Sequence, residues 1–88
     1  MESDTIKTSR GDLVIHFLGH SSLIILWGGK TIHVDPVSAE ADYTTLPRAD
    51  MIIITHEHFD HLDLKAVDHI KTAATLIVGS AEVGKQIP

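Results

Sequence analysis

The chain has 88 residues, of which 43% are apolar and 22% charged, with a formal net charge of −5 and no cysteine. This length and composition suit a single α/β domain or part of one, and the lack of cysteine excludes disulfides, thiolate metal sites and a cysteine nucleophile. The basic residues are scattered singly, which disfavours general nucleic-acid binding. No apolar run reaches the ~20 residues of a membrane span and no signal peptide is recognisable, so we predict a cytoplasmic protein.

The first 35 residues predict two β hairpins. Four segments have the composition of strands: 4–8, 12–18, 22–27 and 30–35. The first pair flanks Arg10-Gly11 and the second flanks Gly28-Gly29, and both dipeptides are turn signals. Because Leu13–Leu18 and Leu23–Trp27 are nearly continuous apolar runs, we expect these strands to be covered on both faces.

The second half of the chain predicts alternating strands and helices after a loop over residues 37–50. The elements are a strand at 51–55, a helix at about 63–71, a strand at 76–78 and a further helix that begins near Ser80. The first helix is predicted because Leu64, Val67 and Ile70 recur at the spacing of an amphipathic face. Together with the hairpins, these elements predict an α/β fold.

The segment "THEHFDHLD" follows the strand at 51–55 and concentrates metal-binding side chains. Imidazole nitrogen and carboxylate oxygen are good ligands for zinc, manganese or iron. In an extended backbone His56 and His58 point the same way and can hold one ion, while Asp60 and His61 follow and can face a second. The alternative is a polar strand-to-helix loop in which Asp63 caps the helix. Four candidate ligands within six positions favour a metal site.

The same segment carries a family resemblance. "THEHFDH" resembles the H-x-H-x-D-H signature of the metallo-β-lactamase superfamily. The segments "FLGHSSLIIL", "GGKTIHVDPV" and "LPRADMIIITHEHFDHLD" resemble its branch of metal-dependent hydrolases related to L-ascorbate-6-phosphate lactonase and the N-acyl-phosphatidylethanolamine phospholipases. The resemblance runs from about Asp12 to Asp63 and more loosely to Pro88.

The resemblance implies both a fold and a chemistry. The fold is a four-layer αββα sandwich, with a mixed β-sheet and flanking helices, and the metal site lies at one edge. His56 and His58 bind the first ion, Asp60 and His61 bind the second, and a water between the ions is the nucleophile. Asp60 also orients that water or accepts its proton. The implied cofactors are one or two divalent ions, zinc or manganese, with iron also compatible, and the reaction is hydrolysis of a small-molecule ester, lactone, amide or phosphodiester.

Two further residues are candidates for roles beside the metal. His20, in "GHSS", follows a predicted strand and is either a substrate or supporting contact near the pocket or a histidine that bonds the local turn. Asp35 ends the "TIHVD" strand, and metal-bound histidines usually donate their other N–H to such a carboxylate. The alternative for Asp35 is a turn with Pro36. His33 lies within a strand and is predicted to be structural, and His69 is predicted to be exposed.

The family's remaining ligands, two histidines and a bridging aspartate, lie well downstream of the signature. The single histidine after His61 is His69, inside the predicted helix, which is too close to be one of them. We therefore predict that residues 1–88 are one partial domain, the N-terminal portion of a larger hydrolase, and inactive alone. The second hypothesis is a non-catalytic metal-binding or self-associating module, because a divided sandwich exposes its inner sheet face and favours a homo-oligomer.

Overall fold

The computed structural model describes residues 2–19, 22–37, 41–55 and 64–79. Its elements in chain order are β1 (Glu2–Thr8), β2 (Gly11–Gly19), β3 (Ser22–Trp27), β4 (Lys30–Val34), β5 (Met51–Ile53), α1 (Leu64–Ile70) and β6 (Leu76–Val78). Every strand predicted from the sequence and the first predicted helix are present, with ends that agree within two residues. The helix predicted from Ser80 lies outside the described residues.

The six strands form one mixed sheet in the order β1-β2-β3-β4-β5-β6. The first four strands pair antiparallel, and β4, β5 and β6 pair parallel, so α1 forms the crossover between β5 and β6. Gly28 and Gly29 connect β3 to β4 with φ angles of 59° and 76°. Two successive left-handed residues are what a two-residue hairpin loop of the right twist requires, and glycine adopts them without a steric penalty.

One face of the sheet, the covered face, carries the core. The register aligns Ile24 with His33, His33 with Ile52, and Ile52 with Ile77, and this row points towards α1 and the loop before β5. The buried cluster comprises Tyr43, Ala49, Ile52, Ile54, Ala66, Val67 and Ile70. The backbone N–H of Ala49 donates to the Ile70 carbonyl at 2.8 Å, which fixes the end of α1 against the loop.

The opposite face of the sheet, the open face, is uncovered within the described residues. Phe17 is 41% and Trp27 38% exposed, because α1, the helix found there, packs on the covered face. The expectation that the apolar runs in β2 and β3 are covered on both sides stays a prediction. The mixed sheet is as expected, whereas the complete αββα sandwich remains a prediction. Among the described elements, no helix has the length and apolar character needed to cross a membrane.

Candidate metal centre

The topology brings several chain segments together at one edge of the sheet. Strands β2, β4, β5 and β6 run in the same direction, so their carboxyl ends meet there. In open α/β sheets, ligands bind outside this edge. The four predicted metal ligands, His56, His58, Asp60 and His61, lie outside the described residues, but the chain reaches them from β5 through Ile54 and Thr55, at this edge.

Asp35 fixes the backbone from which the predicted ligand segment starts. It follows β4 directly and is 1% exposed. Its Oδ1 accepts a hydrogen bond from the Thr55 backbone N–H at 2.8 Å, and its Oδ2 accepts one from the Thr55 hydroxyl at 2.7 Å. Hydrogen bonds to a charged acceptor are the stronger kind, and both of these bonds are partly buried. Thr55, immediately before His56, is therefore held in one orientation.

The backbone of Asp35 is itself in an uncommon conformation. Its φ angle is 46°, in the left-handed region that non-glycine residues rarely adopt. Its N–H donates to the Ile53 carbonyl at 2.8 Å, and its carbonyl accepts a hydrogen bond from the buried Ser22 hydroxyl. Because these bonds hold the conformation, Asp35 links the start of β3, the end of β4 and the end of β5.

These contacts show what the Asp35 side chain holds within the described residues. It bonds Thr55, a residue 20 positions away in the chain. Its predicted contact with a metal-bound histidine stays a prediction. Thr55 and Ser22 were not among the predicted site residues. The sequence offered one signal for Thr55, which is its position directly before the first histidine of the motif. It offered no signal for Ser22.

His20 lies outside the described residues, between the end of β2 and the start of β3. Its neighbours Gly19 and Ser22 pair with one another at the edge where Asp35 and Thr55 lie. Its proposed role near the site therefore stays a prediction. Within the described ranges, no group of three or more His, Asp or Glu side chains could hold a metal, so this part of the chain offers no competing centre.

His33 has a structural role in the loop before β5, as predicted. The side chain is fully buried, and its Nε2 lies 2.9 Å from the Pro47 carbonyl oxygen. Because a carbonyl only accepts, Nε2 carries the proton, and Nδ1 has no hydrogen-bond partner among the described residues. The ring lies 5.8 Å from that of Tyr43, whose hydroxyl accepts from the Val37 N–H at 3.2 Å. His33 thus holds the loop to the covered face.

The burial of His33 predicts a pH-dependent stability. Burial lowers the pKa of His33, and the hydrogen bond to the Pro47 carbonyl offsets this only in part. The unfolded chain takes up a proton near pH ~6.5 that the folded chain resists, so stability is complete above this pH and falls as the pH decreases below it. We expect His33→Gln to remove a slope of up to ~1.4 kcal/mol per pH unit below about pH 6.5.

Urea unfolding in the presence of a chelator measures this slope. His69→Gln is the matched control, because His69 is exposed on α1 and its loss should leave the slope unchanged. Equal slopes for the wild type and His33→Gln would show that His33 protonates as readily in the folded chain as in the unfolded one.

Comparison with known proteins gives the family of the chain. The profile of the beta-lactamase superfamily domain matches residues 14–85. UPF0173 metal-dependent hydrolases of Flavobacterium johnsoniae and Pyrobaculum neutrophilum are 43% and 34% identical over 76 and 79 residues. These matches cover 78% and 83% of this chain and 32% and 35% of the relatives. The chain thus spans about a third of the length of the curated relatives it matches.

A solved structure gives the same result for the fold. The crystal structure of a Parabacteroides distasonis protein assigned as a metal-dependent hydrolase superposes with a TM-score of 0.93 at 45% identity. The match covers 98% of this chain and 40% of the other. The matched profile runs from within β2 to beyond β6, and its range includes the segment that carries the H-x-H-x-D-H motif. The chain therefore belongs to the family of beta-lactamase superfamily domains.

Proposed function

We propose that the polypeptide carrying these residues is a metal-dependent hydrolase. Its metal site is formed by His56, His58, Asp60 and His61 at the carboxyl edge of the sheet. The observation that carries the proposal is the link between Asp35 and Thr55, because it fixes the backbone directly before the first of these ligands. Metal sites depend on such supporting hydrogen bonds to hold their ligands in place.

The donor set suits a divalent transition metal. Three imidazoles and a carboxylate, with no thiolate in the chain, match zinc, manganese or iron in either a one-ion or a two-ion site. A divalent ion bound there would supply a Lewis acid and lower the pKa of its coordinated water. The number of ions, one or two, is part of the proposal.

The chain's own residues have distinct roles in this proposal. His56 and His58 form one pair of ligands, and Asp60 and His61 form the other. Asp60 also orients the attacking water and accepts its proton, as a carboxylate within hydrogen-bonding reach can do. Asp35 positions the segment through Thr55, and His20 contacts the substrate or a ligand from the end of β2.

The proposed substrate is a small molecule with a lactone, ester, amide or phosphodiester bond. The segments that resemble the branch of L-ascorbate-6-phosphate lactonase and the N-acyl-phosphatidylethanolamine phospholipases favour a lactone or a phosphodiester within this set. Because this chain spans about a third of its relatives, the activity is proposed for the whole polypeptide. For residues 1–88 alone we expect metal binding without turnover.

An activity assay of the polypeptide encoded by the complete reading frame tests the proposal. The protein is loaded with zinc or manganese and assayed against one substrate of each bond type. We expect turnover of at least one substrate, and a loss of at least ~100-fold with a chelator or with His58→Ala. His69→Ala, a histidine on the exposed side of α1, should leave turnover unchanged. Turnover that survives both the chelator and His58→Ala would refute the proposal, as would its absence for every substrate.

A non-catalytic metal-binding or self-associating module is the second candidate function. The observation that favours self-association is the open face, which the described residues leave uncovered. Self-association needs no metal, and so it can be tested separately from the metal site.

A further inference from the structure

The buried hydroxyl of Ser22 lies where the pairing of β3 with β4 ends. Leu23 and Val34 form the last pair of this register, and Ser22 and Asp35 are the residues directly beyond it. Ser22 is 2% exposed, and its hydroxyl donates to the Asp35 carbonyl oxygen at 2.5 Å. A side-chain hydroxyl therefore holds the Asp35 backbone at the point where the chain leaves β4.

The parallel register of β4 and β5 calls for a different acceptor for Thr55 from the one observed. The Asp35 N–H donates to the Ile53 carbonyl at 2.8 Å, as this register requires. In a regular parallel ladder the carbonyl of the same residue accepts from the N–H two positions further along the partner strand. The next bond would therefore join the Thr55 N–H to the Asp35 carbonyl. Instead this N–H donates to the Asp35 carboxylate at 2.8 Å.

A single backbone torsion explains this exchange of acceptors. The φ angle of Asp35 is 46°, whereas a residue in a parallel strand has a φ of about −120°. Because Ile53 holds the N–H, the change in φ turns the carbonyl and the side chain of Asp35 together about the N–Cα bond, by roughly 165°. The carbonyl leaves the ladder and accepts from Ser22, and the carboxylate accepts from Thr55 in its place. The Ser22 bond and the Thr55 bonds therefore belong to one backbone state.

The left-handed state of Asp35 depends on a donor for its displaced carbonyl. A left-handed backbone disfavours a non-glycine residue by roughly 5- to 30-fold. Asp35 is 1% exposed, and a buried carbonyl without a hydrogen bond adds a further cost. In the extended state the ladder would satisfy this carbonyl through the Thr55 N–H. Removal of the Ser22 hydroxyl therefore favours the extended state, in which the carboxylate no longer holds the Thr55 backbone.

We propose that Ser22 is a positioning residue of the metal site, which acts by holding Asp35 in the left-handed state that presents its carboxylate to Thr55. The carboxylate also accepts from the Thr55 hydroxyl at 2.7 Å, so this state fixes both the backbone and the side chain of Thr55. The effect on metal binding rests on the proposed function, because Thr55 directly precedes His56, the first proposed ligand. Ser22 and Asp35 are both buried, so their contact does not depend on a surface that further chain could cover.

Nuclear magnetic resonance of the polypeptide encoded by the complete reading frame, with a chelator present, tests the backbone state. The scalar coupling across a hydrogen bond identifies the acceptor carbon of the Thr55 N–H. In the wild type this carbon should be the side-chain carboxyl carbon of Asp35. In Ser22→Ala that coupling should fall by at least ~5-fold, and a coupling to the backbone carbonyl carbon of Asp35 should replace it. The matched control is Thr75→Val, which removes a hydroxyl bond to the Ala49 carbonyl at the opposite edge of the sheet and should leave the acceptor unchanged.

The zinc affinity of the same three proteins, measured by competition with a chromophoric chelator, tests the consequence for the metal site. Ser22→Ala should bind zinc at least ~5-fold more weakly, because only the molecules with a left-handed Asp35 are competent to bind. Thr75→Val should bind zinc as the wild type does.

A change of acceptor together with weaker zinc binding, both specific to Ser22→Ala, supports the proposal. An unchanged acceptor in Ser22→Ala overturns it, and so does an unchanged zinc affinity or an equal loss of affinity in Thr75→Val. A wild type that binds no zinc would contradict the proposed function instead, while the coupling measured in chelator would still decide whether Ser22 holds Asp35. If circular dichroism shows Ser22→Ala to be unfolded, Ser22→Cys, which keeps a weaker donor of similar size, should show both effects in the same direction.

Discussion

Replacing Asp35 with alanine should lower the free energy of unfolding by about 3 kcal/mol. The substitution leaves the partly buried Thr55 N–H without its carboxylate acceptor and takes away the acceptor of the Thr55 hydroxyl. It also requires alanine to adopt a φ angle of 46°, where aspartate and asparagine are better tolerated than other non-glycine residues. No other described residue combines near-complete burial, two charge-assisted hydrogen bonds and a left-handed backbone.

A graded series of variants separates these contributions. Asp35→Asn keeps one acceptor and tolerates the backbone, so we expect a loss of about 1–2 kcal/mol. Thr55→Val removes only the hydroxyl donor, at a cost of about 1 kcal/mol. Because the two side chains contact each other, the double variant should cost less than the sum of the two single variants. Asp68→Ala, an exposed carboxylate on α1, is the matched control and should change stability by less than ~0.5 kcal/mol.

The same series connects stability to metal binding. If Asp35 holds the start of the ligand segment, Asp35→Asn should weaken metal binding by about 10- to 100-fold, as expected when a residue that orients ligands is altered. Competition with a chromophoric chelator measures this affinity on the folded variant. An unchanged affinity in Asp35→Asn would show that the Thr55 anchor does not control the ligand segment, even if the variant is less stable.

Local signals in the sequence were sufficient to predict the strands and the helix. Gly28 and Gly29 marked the β3–β4 hairpin because a tight turn of this hand needs left-handed residues. The spacing of Val67 and Ile70 predicted the buried side of α1, and both are buried in the structure. These features depend on interactions between residues close in sequence, which composition and periodicity report directly.

The bonds between Thr55 and Asp35 and the packing on each face of the sheet depend on residues that are distant in sequence. They could not be predicted from local signals. The bonds from Thr55 to Asp35 arise because β4 and β5 pair in parallel, which aligns Val34 with Ile53 and brings the residues after them together. Likewise, the two apolar runs that contain Phe17 and Trp27 indicated strands suited to burial. Runs of this kind do not show what packs against each face of the sheet. The H-x-H-x-D-H motif was informative because its ligand types and spacing carry the chemistry without the surrounding fold.

The largest effect on function is expected from the predicted ligands themselves. His56 and His58 stand two positions apart, so removing either imidazole leaves the ion with one strong donor from that pair. Since a metal that binds the folded chain stabilises it by mass action, zinc at 1,000 times its dissociation constant should stabilise the wild type by about 4 kcal/mol. We expect His56→Ala and His58→Ala to lose most of this stabilisation, with little change in chelator. His69→Ala should behave like the wild type in both conditions.

The metal content of the purified chain is the most direct test of the account. After loading with zinc or manganese and removal of free ion, elemental analysis should find about one equivalent or more of metal per chain, and His56→Ala should lower it several-fold. His69→Ala, which removes a histidine outside the motif, should retain the wild-type content. A content below about one tenth of an equivalent in the wild type, unchanged by His56→Ala, would contradict the assignment of the metal to this segment.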